Sequence, residues 1–125
     1  FYPEAKTLYY RFITNDTDKA IDFLMENQYA FDNKIYYYKN FFDLYEDKRD
    51  VLNMEKSYNE LESVIQGDET YNQMLLRRKF VIEYFKGQKY ESIVSELNIS
   101  RIGDCAKRQI LKHLNYLFGV RDKSC

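Results

Sequence analysis

The side chains best equipped for chemistry lie close together near the end of the chain: Lys89, Ser100, Arg101, Lys107, Arg108 and Lys112. An arginine presents a planar fork of N–H donors that matches the paired acceptors of a guanine edge. A lysine is a mobile point charge suited to a phosphate. Ile102, Cys105, Ala106, Ile110, Leu114 and Leu117 recur at helical spacing, so residues 101–118 are expected to form one helix with these on its inner face. Lys107, Arg108 and Lys112 then fall largely off that stripe. Such a helix suits a nucleic-acid groove, with Ser100, Arg101, Lys107 and Arg108 reaching towards base edges. Lys107 and Lys112 are also placed to meet phosphates, and Lys89 to hold the backbone from the preceding helix.

Other chemistries find less support. His113 is the single histidine, and Cys105 and Cys125 form no CxxC pair, so no metal set is expected and no cofactor is implied. Cys105 reads as a small core residue. There is no phosphate-binding glycine loop, no HExxH and no Ser/His/Asp set with recognisable spacing, so an enzyme is not expected. No apolar run reaches membrane-spanning length. With two cysteines and no disulfide framework, the cytoplasm is the expected setting. The chain opens on Phe1 rather than Met, and its true N-terminus is expected upstream.

Charge divides the chain. Residues 1–70 hold eight basic and fifteen acidic residues, a net of −7; residues 71–125 hold eleven and five, a net of +6. A basic half beside an acidic one suggests a polyanion for the basic half. The change falls at Gly67-Asp68, which reads as a helix stop followed by a new N-cap. The expected organisation is an acidic, aromatic-rich helical region over 1–67 and a basic region over 68–125.

Helical spacing dominates throughout, and no sustained alternation of strands occurs. The fold class is therefore all-α, a helical N-terminal region packed with a C-terminal helix-turn-helix. Leu8, Tyr9 and Phe12 mark a first short helix, Ile21 and Leu24 a second, and Leu61 and Ile65 the end of the helix before Gly67. Phe31-Asp32-Asn33 offers either a break or a passage into a helix carrying Tyr38, Phe41, Phe42 and Tyr45. The stretch from about Glu69 to Lys86 forms the next helix, ended by Gly87.

Gly87 opens the most informative segment. Ile93, Val94 and Leu97 supply the buried side of a short helix over 89–97. Asn98 suits a tight turn because it tolerates a left-handed backbone. Ile99 is expected to plug the corner and Ser100 to cap the next helix with its hydroxyl. This spacing, from Gly87 through Ile93, Val94 and Leu97 to Ile99-Ser100, resembles the DNA-binding domain of LuxR/GerE-type regulators and is similar to region 4 of sigma factors. The ending His113-Leu114-Asn115-Tyr116-Leu117-Phe118-Gly119-Val120-Arg121-Asp122 resembles the close of the same domain. The resemblance covers residues 74–124. The chain differs from the family at Gly103-Asp104, where a threonine and a β-branched residue are usual. The stretch between Ser100 and Gly119 is also a few residues longer.

The resemblance implies a sequence-specific DNA-binding transcription regulator of bacterial or phage type, with double-stranded DNA as partner. The alternative is a helical protein-interaction or adaptor module. Neighbouring residues on a helix point about 100° apart, so the aromatics Tyr36, Tyr37, Tyr38, Phe41, Phe42 and Tyr45 cannot all face one core. Some must meet a second surface, which could be another layer of the same domain, a second subunit or a ligand; Tyr37, Tyr38, Phe41, Phe42 and Tyr45 are assigned to a homodimer interface or partner site, with ordinary core packing as the alternative. RNA polymerase or another protein is a further candidate for the acidic half.

Overall fold

Three side-chain caps set the frame of the first half. The Asp16 carboxylate accepts a hydrogen bond from the Lys19 N–H at 3.0 Å, the Asn33 amide oxygen one from Tyr36 at 3.1 Å, and the Asp50 carboxylate one from Asn53 at 3.3 Å. Each satisfies a backbone donor that a helix start leaves open. In the computed structural model, which describes residues 3–121, they begin α2 (Thr17–Glu26), α3 (Lys34–Asp47) and α4 (Val51–Ile65). Before them comes α1 (Pro3–Leu8), which runs into a π-helical turn over Tyr9–Ile13. After them come α5 (Asn72–Phe85), α6 (Tyr90–Ile99) and α7 (Asp104–Phe118). The fold is all-α, and no strand occurs among the described residues.

The chain divides into two compact units, Phe1–Gly67 and Asp68–Cys125. In the first, Phe31 is buried and the chain breaks there, so α2 and α3 are separate helices joined through a short 3-10 turn. Ala20, Ile21, Leu24, Phe31, Tyr37, Phe41 and Leu44 form its core. Helix α3 also pairs extensively with α4, which buries Met54, Ser57, Leu61 and Ile65.

This arrangement corrects the expectation for the aromatic patch. Tyr37 (4% exposed), Phe41 (8%) and Phe42 (0%) are core residues of the first unit and present no face to a second molecule. The Tyr37 hydroxyl donates to the Leu24 carbonyl at 3.0 Å, and its ring meets Phe31, Tyr38 and Phe41 edge-on or tilted. Tyr38 and Tyr45 are half-buried against the same core. The physical reason is that α3 is covered by α2 along one flank and by α4 along another, so several faces are internal.

In the second unit, α5, α6 and α7 pack pairwise around Phe80, Ile93, Leu97, Ile110 and Leu114. Gly87 (φ +84°) ends α5 and Gly119 (φ +67°) ends α7, both in the left-handed region that glycine enters without steric cost.

Candidate nucleic-acid interface

Helix α6 ends at Ile99 and α7 begins at Asp104, with residues 100–103 between them. The two helices fold back on each other and are tied at both ends. The Tyr90 hydroxyl, at the start of α6, donates to Asn115 Oδ1 near the end of α7 at 2.6 Å, while the Tyr90 ring meets Phe118 edge-on. At the other end the Lys107 ammonium donates to the Asn98 carbonyl at 2.9 Å. Helix α5 grips the opposite flank of α7: Gln73 Nε2 donates to Gln109 Oε1 at 2.7 Å, and Arg77 Nη1 lies 3.4 Å from His113 Nε2. Ile110 and Leu114, each 1% exposed, face the core between these two flanks.

The local turn differs from the sequence expectation in five respects. Asn98 takes no turn: it lies within α6, without a left-handed backbone. Ile99 is 82% exposed and plugs nothing; Ile102, half-buried against the core cluster, takes the place at the corner. Ser100 caps no following helix: its hydroxyl donates back to the Leu97 carbonyl at 2.6 Å and closes α6. Gly103 is the N-cap of α7 and offers no side chain, so α7 starts three residues later than position 101. Cys105 is exposed rather than packed. The common cause is the extended backbone at Ser100 and Gly103 (ψ 159° and 162°), which keeps both residues out of the helix.

The proposed contact residues then fall into three groups. Arg108 and Lys112 are exposed on α7, on the side away from Ile110 and Leu114, and Arg101 is exposed in the turn just before it. Lys89 is exposed at the N-cap of α6. Among the described residues, none of these four makes a hydrogen bond or ion pair. Lys107 and Ser100 are half-buried and bonded to α6 carbonyls, so they serve the turn. Two further residues share the open face and were missed: Asp104, in the first turn of α7, and Tyr116, 82% exposed. The 104–108–112 and 112–116 spacings are the signal that could have found them once the helix start was known. A shallow cleft of ≈ 400 Å³, lined by Leu97, Asn98, Asp104, Lys107, Arg108 and Leu111, runs where α6 meets this face.

Two titratable groups behind the face are perturbed. Burial, reinforced by the positive charge of Arg77, pushes the His113 imidazole below its ordinary value. Burial and the nearby Glu96 carboxylate push Glu83 above the ordinary carboxylate range, with Lys79 opposing. Lys79 itself bridges α5 to α6 by its ion pair with Glu96 at 2.8 Å.

No group of metal-ligating side chains occurs among the described residues, and no helix there is long and apolar enough to cross a membrane. A scan against protein-family models finds no match to this chain, and neither do searches of curated proteins and of solved structures.

Proposed function

We propose that the second unit binds double-stranded DNA and that the chain is a sequence-specific transcription regulator, with α7 as the helix laid into the major groove. The observation that carries this reading is the outward face of α7. Arg108 and Lys112 stand exposed and uncommitted there, beside Arg101, on a helix whose other flanks are clamped by α5 and α6. Clamping on two sides fixes the direction of these cations, which is what groove recognition requires of a supporting scaffold. The net +6 of residues 71–125 supplies a favourable field for a phosphate backbone. In this reading Arg108 meets a base edge, and Arg101, Lys112 and Lys89 sit on phosphates.

The test is fluorescence anisotropy of labelled duplex DNA against the full chain across a salt series. Binding is expected to weaken steeply with salt, by a log–log slope of about −0.9 for each phosphate neutralised. Replacing both Arg108 and Lys112 by Ala should abolish most binding while leaving helical circular dichroism intact. Unchanged affinity in that double variant would refute the assignment.

The competing reading is a protein-interaction module. It draws on Leu8, Tyr9, Phe12 and Ile13 of the first unit, which are 41%, 50%, 63% and 73% exposed. Four apolar side chains this close together on a surface are the kind of patch that other proteins cover. A chain that retains no duplex at low salt would favour this reading.

A further inference from the structure

A face made only to hold phosphates has no use for a carboxylate, yet Asp104 stands at the leading turn of α7. It lies one helical turn before Arg108, and Arg108 one turn before Lys112, so the three side chains form a single row. All three are exposed, and among the described residues neither Asp104 nor Arg108 makes a hydrogen bond or ion pair. Both also border the cleft beside α6. Pressed against a polyanion, an unbonded carboxylate is repelled; it becomes an asset only where it accepts a hydrogen bond. In the major groove the cytosine N4 amine is the donor that a carboxylate accepts from, while guanine O6 and N7 match the arginine fork.

We propose that α7 reads a cytosine through Asp104 and a guanine through Arg108, so that the preferred site carries these bases one or two steps apart. The spacing agrees: one helical turn advances about 5.4 Å, against about 3.4 Å for each base pair. Lys112, a further turn along, meets the backbone beyond them. This inference rests on the DNA-binding reading above and adds the bases that are read. Asp104 also favours the start of α7 through the helix dipole. That role depends on charge alone and carries no base preference, which separates it from readout.

The experiment is selection of bound duplexes from a random DNA pool by the full-length protein, repeated with Asp104→Asn and Arg108→Ala. Circular dichroism confirms that each variant is folded. The wild-type motif is expected to contain the cytosine and the guanine. An asparagine both accepts and donates, so Asp104→Asn should move the preference at its position from cytosine to adenine. Arg108→Ala should level the preference for guanine, a loss of roughly ten- to hundredfold in discrimination. A wild-type motif lacking a G·C pair overturns the proposal, as does an unchanged base preference in both variants. In either case duplex is still retained, so DNA binding itself stands. A wild-type protein that enriches nothing and retains no duplex removes both readings together.

Discussion

Phe42→Ala separates a core role from an interface role for the aromatic first half. Phe42 is 0% exposed. Truncating a fully enclosed phenylalanine loses its burial and leaves a cavity that neighbours only partly fill, which costs about 3–5 kcal/mol. A unit the size of residues 1–67 holds on the order of 3–10 kcal/mol in all at the usual stability per residue. The substitution therefore removes a third or more of what holds the unit together. Urea unfolding of the full chain, followed by far-ultraviolet circular dichroism, reads this directly. With a slope of about 1–2 kcal/mol per molar urea for a small unit, the transition of the first half should move down by roughly 1.5 M or more. A residue at a dimer contact would behave in the opposite way. Its loss would shift the sedimentation equilibrium towards monomer and leave the unfolding midpoint of the monomer nearly in place. An unchanged midpoint in Phe42→Ala would refute the burial argument.

Two further predictions follow from the titrating groups behind α7. His113 is held below its ordinary value by burial and Arg77, so its contribution to stability is complete above that value and drains away as pH falls through it. As the single histidine in the chain, it gives an unambiguous imidazole resonance; its NMR midpoint should lie below the ordinary value and rise in Arg77→Met, and a midpoint at or above that value would sink the assignment. Glu83 has the opposite sign: raised by burial and Glu96, it favours the fold when protonated and costs stability as pH rises through its shifted value. Glu83→Gln should raise the melting temperature at neutral pH, with the gain shrinking on acidification; a lower melting temperature at neutral pH would show that the carboxylate is favourably paired.

Much of the frame was legible because local signals and burial agreed. Gly87 ends a helix, the change at Gly67-Asp68 divides the two units, and Ile93, Leu97, Ile110 and Leu114 fall at helical spacing on one buried side. The aromatic run was misread for a definite reason. Adjacent helical residues point in different directions and need more than one surface, and of the candidates it is another layer of the same unit that covers Tyr37, Phe41 and Phe42. Asn40, Phe41, Phe42, Asp43 and Leu44 are five consecutive buried residues, which is possible because α3 has neighbours on more than one side within its own unit. Periodicity describes a helix with one buried stripe; it fails for a central helix, where the pattern is set by how many neighbours arrive.

The turn at residues 100–103 shows how a small backbone choice changes a chemical reading. Ser followed by Arg reads as a capped helix start, yet extended backbone at Ser100 and Gly103 defers α7 to Asp104. Ile102 then takes the corner in place of Ile99, and Cys105, expected in the core, lies in solvent. The Lys107 ammonium turns towards α6 and closes on the Asn98 carbonyl, while Asp104 lines up with Arg108 on the open side. Counting cations therefore overstates how many of them can meet a phosphate, and it overlooks the one anion in the row. A surface with two free cations and a leading carboxylate differs in kind from a basic patch. With α7 in a groove, as proposed, such a face would be less adhesive to phosphate in general and better fitted to discriminate among bases, because a misplaced partner would leave Asp104 facing an acceptor instead of a donor.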